Sequence, residues 1–209
     1  MISISELIEN ITPEQSAKLE RYVSELELFN PVYHLVSCRS RDELLIRHIA
    51  DCAAGADVIR ASLGPDNTVA DFGTGAGLPG LVLAILMEDV SFTLIERMSR
   101  RVDFLRNAVL RCKLCNVEIL SEDIKCVERV FDCITFRAFR PLNEIIGQVG
   151  RLLSPEGCVC AYKAQKDYVQ KELSTLTGWR HSLVRLNVPM LDEERSMLIL
   201  HKEGEKKSG

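Results

Sequence analysis

The 209-residue sequence has no long hydrophobic run, and aromatic residues make up only 6% of it. Its longest strongly apolar stretch, Leu78 to Met87, is about half the length of a membrane span and contains Pro79 and Gly80, so we predict no transmembrane helix. The first ten residues include two glutamates and no base, which is unlike a signal or transit peptide. We therefore expect a cytoplasmic protein without a membrane partner, built as one domain with an appendage or as two small domains.

The chain also lacks a complete zinc-binding pattern. Cys112 and Cys115 have the spacing of half a zinc site, but no second CxxC or HxxxH pair accompanies them, and structural zinc needs four ligands. Without a secretion signal, the eight cysteines are expected to be reduced thiols. We predict that no metal is bound and that Cys158 and Cys160, which alternate along a probable strand, are packing residues.

Neither sign of charge is in large excess. The net charge of −4 taken alone argues against a nucleic-acid partner. However, residues 1–30 hold six acids and two bases, which account for the whole excess, and the remainder of the chain is neutral. Within that remainder, Arg97 to Lys113 contains six bases and one acid. An RNA partner therefore remains compatible with the sequence.

Residues 1–63 have the pattern of an N-terminal helical extension. Thr12-Pro13-Glu14-Gln15 is a capped helix start, and apolar residues recur at helical spacing from Leu19 to Phe29. We expect Asn30-Pro31 to end that helix. A second amphipathic helix should begin near Asp42, with its buried face formed by Leu45, Ile46, Ile49 and Ala53.

Residues 64–209 instead alternate short apolar runs with longer helical segments. The predicted strands are Thr68 to Phe72, Ser91 to Ile95, Val117 to Leu120, Phe131 to Phe136, Gly157 to Tyr162, Trp179 to Val188 and Arg195 to His201. The predicted helices are Pro79 to Met87, Ser99 to Leu114, Pro141 to Leu153 and Lys166 to Leu176. This alternation predicts an α/β, doubly wound, Rossmann-like fold with a mostly parallel sheet. Because no helix fits between the last two strands, we expect an antiparallel strand at the C-terminus.

A glycine-rich turn follows the first predicted strand and leads into a helix. Gly75, Gly77 and Gly80 match GxGxxG, which alone is a weak dinucleotide fingerprint. Asp71 stands at the end of the strand, where its carboxylate could receive an ammonium group directly or through water. The crowded glycines, this acid and the antiparallel strand favour a methyltransferase cofactor over NAD.

Two further acids support a nucleoside ligand. Glu96 ends the second predicted strand, where an acid about 20 residues beyond the glycine loop hydrogen-bonds ribose hydroxyls in this architecture. At the end of the third strand, Asp123 could accept a hydrogen bond from an adenine amino group or could cap the next helix.

The sequence resembles the RsmG (GidB) family of bacterial 16S rRNA guanine-N7 methyltransferases over nearly its whole length. The resemblance is carried by FGTGAGLPG at 72–80, Arg47-His48-Ile49-Ala50-Asp51 and Phe136-Arg137-Ala138-Phe139, in the family's order. It implies an enzyme that uses S-adenosylmethionine (SAM) to methylate N7 of one guanine in the decoding-region loop of the small ribosomal subunit. Residues on the family's cofactor or substrate positions are Gly73, Leu78, Asp123, Ile124, Arg137 and Lys163.

Some positions depart from the family's pattern. His34-Leu35-Val36 replaces an Asn-Leu-Thr element, Cys52 replaces a serine, Ala164 replaces a glycine, and Phe136 replaces a small polar residue. These changes concern the RNA-side pocket more than the cofactor site.

The residues after the predicted strands agree with chemistry at guanine N7. N7 carries a free lone pair at neutral pH, so the enzyme mainly has to align it with the methyl group. We assign catalytic roles to Arg137, which can bind a carboxylate, a phosphate or the acceptor edge of guanine, and to Lys163, which can contact an RNA phosphate. Alternatively, Arg137 forms a surface salt bridge and Lys163 is merely solvated.

Neighbouring residues allow two interpretations each. Phe136 or Phe139 could stack on the base or pack in the core. His48 and Asp51 lie on one helical face and could roof the substrate pocket, but N7 requires neither a general acid nor a base.

Three other functions are compatible with the same motifs. They are a SAM-dependent enzyme acting on a small molecule, an NAD-dependent oxidoreductase, and a SAM-dependent RNA-binding regulator without catalysis. Stabilisation by S-adenosylhomocysteine (SAH) but not NADH would exclude the oxidoreductase, and loss of one N7-methylguanosine on gene deletion would exclude the regulator. We expect the protein to be a monomer.

Overall fold

The N-terminal extension is helical, as predicted. A computed structural model describes residues 2–64, 67–163, 173 and 176–203. The Thr12 hydroxyl caps the long second helix by accepting a hydrogen bond from the Gln15 amide, and the Gln15 side-chain oxygen accepts one from the Thr12 amide. The extension comprises α1 (Ile4–Leu7), α2 (Pro13–Tyr33), α3 (Arg41–Leu44), a π-helical segment (Leu45–Ala50), α4 (Asp51–Ala53) and α5 (Ala56–Arg60).

Two expectations for the extension need correction. Helix α2 does not end at Asn30-Pro31 but continues to Tyr33. Pro31 lies in the last turn of the helix, where its missing N–H removes one backbone hydrogen bond and only two helical residues follow it. The second helix is interrupted by the π-helical segment. Because a π turn holds an extra residue, the buried face drifts: Leu45 and Ile49 are buried, whereas Ile46 is only half-buried.

Within the described residues, seven strands form one sheet in the order β3-β2-β1-β4-β5-β7-β6. Strands β1 to β5 are parallel, and β7 is antiparallel to both β5 and β6, as predicted. β5 begins at Leu153 rather than at Gly157 because the chain passes from the preceding helix directly into the strand. The strands are β1 (Thr68–Phe72), β2 (Ser91–Ile95), β3 (Val117–Leu120), β4 (Phe131–Arg137), β5 (Leu153–Lys163), β6 (Trp179–Leu186) and β7 (Arg195–Lys202).

Helices cover both faces of the sheet. They are α6 (Gly80–Leu86), α7 (Ser99–Cys112) and α8 (Leu142–Leu152), each close to its predicted bounds. Most of the predicted helix Lys166 to Leu176 lies outside the described residues. The observed architecture is the doubly wound, Rossmann-like fold with a mostly parallel sheet expected from the alternating pattern, and it includes the expected antiparallel strand at the C-terminus. Among the described residues, no helix combines the length and the apolar character needed to cross a bilayer.

The helical extension and the sheet share a hydrophobic core. Leu19, Tyr22 and Leu26 of α2 pack in one apolar cluster with Leu81 of α6 and Phe104 of α7. Tyr22 is fully buried, and its hydroxyl donates to the Ala76 carbonyl in the glycine-rich turn at 2.7 Å. The extension therefore holds this turn through the hydrogen bond from Tyr22.

Most cysteines serve packing. Cys158 and Cys160 are buried on one face of β5, as predicted, and their thiols lie within 4.8 Å of that of Cys133 on β4. Cys112 is buried and donates towards the Lys18 carbonyl, whereas Cys115 is exposed.

Candidate active site

Two neighbouring cavities lie at the carboxyl ends of the parallel strands, where ligands bind in open α/β sheets. Ala138, Phe139 and Arg140, which follow β4, line both cavities and separate them. The smaller cavity, of about 250 Å³, is otherwise lined by Gly73, Ile95, Glu96, Arg97, Arg101, Glu122, Asp123 and Ile124. The larger cleft, of about 740 Å³, is otherwise lined by Ser37, Glu43, Arg47, His48, Asp51, Phe136, Arg137, Pro141, Tyr162, Lys163, Leu186, Arg195 and Ser196.

The glycine-rich turn meets the smaller cavity at Gly73. Gly73 has φ +62°, and a Cβ placed on it would lie 2.1 Å from Cδ2 of Phe139. Phe139 can therefore cover the turn only because residue 73 has no side chain. Gly75 donates its amide to Glu96, and Gly77 and Leu78 face the core. None of these three residues lines either cavity, so their contact with a cofactor stays a prediction.

Asp71 organises this turn from inside the protein. Its side chain is fully buried, and its Oδ2 accepts from the Thr74 hydroxyl at 2.5 Å and from the Gly80 amide at 2.8 Å. Within the described structure, Oδ1 has no hydrogen-bond partner. Burial raises the pKa of Asp71 to about 6, while the two hydrogen bonds oppose that shift. Asp71 does not line either cavity, so its contact with a ligand ammonium group stays a prediction.

The other acids and the apolar residue predicted for the cofactor do line the smaller cavity. Glu96 is buried, and its two oxygens accept from the amides of Gly75 (3.1 Å) and Met98 (2.9 Å). Asp123 accepts from the Lys125 amide, and Ile124 is buried beside it. The ends of β2 and β3 thus bring Glu96, Asp123 and Ile124 to one cavity, as the order of the strands predicts.

Arg137 reaches into the larger cleft from the end of β4. Its Nη1 donates to Asp51 Oδ2 at 2.9 Å and to the Arg47 carbonyl at 3.1 Å, and its Nη2 lies 3.0 Å from His48 Nδ1. The side chain is 18% exposed, so its ion pair lies inside the cleft rather than on the open surface. Asp51 also accepts from Arg195 Nε at 3.1 Å.

His48 is held as a neutral acceptor. Its Nε2 lies 3.1 Å from the Ser37 carbonyl, so this nitrogen carries the proton and Nδ1 accepts from Arg137. Burial and the neighbouring Arg137 charge lower the pKa of His48. Its lone pair is therefore engaged, and His48 and Asp51 form one wall of the cleft.

The end of β5 completes the cleft. Lys163 lines it and pairs in register with Ser196 of β7. Tyr162, one residue earlier, is buried, and its hydroxyl donates to the Cys52 carbonyl at 2.6 Å. Phe136 is buried in the core, whereas Phe139 lies between the two cavities. Both phenylalanines line the larger cleft, but Phe139 also lines the smaller cavity, whereas Phe136 is almost fully buried.

Sequence reasoning missed Tyr22, Tyr162 and Arg195. The two tyrosines appeared only as members of apolar patterns, although a buried hydroxyl needs a partner and so indicates a tertiary contact. Arg195 begins β7, and nothing local to it indicates that it faces an acid 144 positions away in sequence.

A family comparison agrees with this arrangement. The model of the rRNA small subunit methyltransferase G family, GidB, matches residues 15–199, which include both cavities. The chain belongs to the small-subunit rRNA methyltransferase G family. A ribosomal RNA small subunit methyltransferase G from Cronobacter sakazakii is 37% identical over 190 residues, covering 89% of this chain and 88% of the relative. One from Actinobacillus pleuropneumoniae serotype 3 is 33% identical over 196 residues, covering 92% of each.

Solved methyltransferases share the fold at low sequence identity. The precorrin-6y C5,15-methyltransferase of Geobacter metallireducens superposes with a TM-score of 0.57 and 19% identity, covering 72% of this chain and 87% of that chain. An rRNA methylase of Streptococcus thermophilus gives 0.54 and 14%, covering 71% and 93%. SMU.1697c of Streptococcus mutans, solved in complex with SAH, gives 0.52 and 13%, covering 71% and 95%. Family membership makes the chain a methyltransferase of the rRNA-modifying type.

Proposed function

We propose that this protein transfers a methyl group from SAM to N7 of one guanine in 16S rRNA of the small ribosomal subunit. The observation that carries the proposal is the pairing of every acid that lines the larger cleft within the described residues. Asp51 is bound by Arg137 and Arg195, and Glu43 contacts Arg47 and the Arg39 amide. A cleft without an unpaired carboxylate suits a nucleophile that needs no deprotonation, and guanine N7 is one.

The residues of the smaller cavity fit the nucleoside part of SAM. Each Glu96 oxygen accepts one backbone amide and retains a second lone pair for a ribose hydroxyl. Asp123 and Ile124 provide an acceptor and an apolar surface for the adenine ring. SAM, when bound, supplies an electrophilic methyl group on its sulfonium. The SAH found in the S. mutans protein of the same fold supports this assignment.

The larger cleft would receive the guanine. Arg137 has five N–H donors, of which contacts among the described residues use three, so further donors can reach the O6 acceptor of the base. Phe139, with Arg140 stacked 5.3 Å from its ring centroid, offers a face for the unstacked base. Lys163 at the rim provides a cation for an RNA phosphate.

The basic run Arg97 to Lys113, most of which lies on α7, contributes less than the sequence suggests. Four of its six bases pair with acids: Arg97, Arg101, Arg106 and Arg111. We therefore place the RNA contacts at the cleft rather than along this helix. We further propose that the enzyme acts in the cytoplasm, as a monomer, with residues 1–63 as an extension of a methyltransferase domain formed by 64–209.

A nucleoside-resolved methylation assay on 30S subunits from a strain lacking the gene tests the proposal. Added wild-type enzyme and SAM should restore one N7-methylguanosine in 16S rRNA, and protein-free rRNA serves as a parallel substrate. Arg137→Ala should lose methyl transfer while melting cooperatively. Arg60→Ala, which removes a surface arginine paired with Asp89, is the matched control and should remain active. Full methylation by Arg137→Ala would remove that residue from the site, and absence of the product with wild type would refute the proposed function.

A further inference from the structure

A largely buried ion-pair chain connects the helical extension to two strand ends that flank the larger cleft. Asp51 divides its carboxylate between two arginines, with Oδ2 accepting from Arg137 at 2.9 Å and Oδ1 accepting from Arg195 Nε at 3.1 Å. Side-chain exposure is 6% for Asp51, 18% for Arg137 and 16% for Arg195. Helix α4, the end of β4 and the start of β7 therefore meet at one carboxylate.

This carboxylate determines where both guanidinium groups can lie. Two cations that share one anion and little water would repel each other and turn towards solvent without it. Two neighbouring acids serve a different cation, because Glu43 of the cleft lining and Glu193 outside it both pair with Arg47. In the part of the chain that the structure describes, Asp51 is thus the acid that holds both arginines.

We propose that Asp51 is a positioning residue that fixes Arg137 and Arg195 as a pair of donors for the oxygen acceptors of the substrate guanosine. The inference rests on the proposed function. Asp51 acts through the arginines, since each of its oxygens is already engaged by one of them. The shared carboxylate leaves the group with one net positive charge, which faces the cleft where an electron-rich base edge and its phosphate would enter.

The surroundings of Arg137 show that its position is set before substrate arrives. Its guanidinium is held from three directions, by Asp51, by the Arg47 carbonyl and by His48 Nδ1. All three contacts come from the π-helical segment and α4. The helical extension therefore orients the Arg137 guanidinium, which belongs to a strand of the sheet. Misplacement of such a group by about 1 Å can cost about 100-fold in rate.

Asp51→Asn tests this role because it keeps the shape but removes the charge and turns a donor towards one arginine. On 30S subunits we expect kcat/KM to fall by about 100-fold, with SAH affinity measured by calorimetry unchanged within about twofold. Asp132→Asn is the matched control. Asp132 is a buried acid at the opposite end of β4 that accepts from Thr68, so its variant should lose stability while retaining kcat/KM.

A double variant separates positioning from a general structural effect. If Asp51 acts through Arg195, then Asp51→Asn combined with Arg195→Ala should lose much less than the product of the two single effects. If Asp51→Asn does not fold, Asp51→Glu decides, because it keeps the charge but displaces the carboxylate by one methylene. Wild-type kcat/KM in whichever Asp51 variant folds would overturn the inference. So would a double variant whose loss equals the product of the two single losses. Failure of wild type to form N7-methylguanosine would instead reject the proposed function.

Discussion

Gly73→Ala should damage both stability and cofactor binding, because the site depends on a missing side chain. Residue 73 has φ +62°, a conformation that costs an alanine about 1–2 kcal/mol. The added Cβ would also lie 2.1 and 2.3 Å from Cδ2 and Cε2 of Phe139, so the ring must move. Overpacking of this kind typically costs about 1–3 kcal/mol.

The combined loss is about 2–5 kcal/mol, which for a chain of this length lowers the melting temperature by about 2–4 °C per kcal/mol. Phe139 borders both cavities, so its displacement should weaken SAH binding at least about tenfold, or about 1.4 kcal/mol. The larger Gly73→Arg should abolish SAH binding. Denaturant unfolding and titration calorimetry measure the two effects separately.

Gly75→Ala is the matched control. Gly75 has nearly the same φ of +60°, but a Cβ there would meet nothing closer than 3.8 Å. It should therefore show the backbone penalty alone. Phe139→Ala introduced into Gly73→Ala should restore part of the lost stability by removing the obstructed ring. Equal stability losses for the two glycine variants, or no rescue, would refute the steric explanation.

Two further perturbations test how the glycine-rich turn is supported. Tyr22→Phe should cost about 1–3 kcal/mol in denaturant unfolding because it leaves the buried Ala76 carbonyl unpaired, whereas Tyr33→Phe at the end of the same helix should cost little; equal losses would argue against the support. Because burial raises the pKa of Asp71 from 3.8 to about 6 in the folded state, its contribution to stability is complete below 3.8 and is lost as pH rises through 6. Wild type should therefore lose stability relative to Asp71→Asn between about pH 4 and about pH 6.5, and identical pH dependence of the two proteins would contradict this pKa.

The sheet could be predicted from sequence because its signals are local. The first three strands have the predicted bounds, since short apolar runs separated by helical segments admit few alternatives. The placement of Glu96 and Asp123 at one cavity could be predicted for the same reason, because parallel strand ends gather at one edge of the sheet. The continuation of α2 past Pro31 was missed because proline weakens a helix without specifying where it ends.

The partners of the cleft residues could not be predicted in this way. The ion pairs of Asp51 join residues 86 and 144 positions apart, and no periodicity encodes such contacts. The π-helical segment is similarly set by packing, since its residues read as an ordinary amphipathic helix. Charge counts mislead in the opposite direction: the basic run on α7 is prominent in sequence but largely paired in the fold.

The helical extension belongs to the folding unit of the sheet, so residues 64–209 alone should not fold. Removing residues 1–63 would expose Leu81, Val82, Ile85, Phe104 and Leu105, which are buried in the shared core. Complete burial of each such side chain contributes about 1.5–3 kcal/mol, so even partial exposure of all five approaches the typical total stability of about 5–15 kcal/mol. The fragment would also lose Asp51 and His48 from the cleft and Tyr22 from beneath the glycine-rich turn. Circular dichroism should show no cooperative melting for 64–209, and a fragment that melts cooperatively and binds SAH would disprove this dependence.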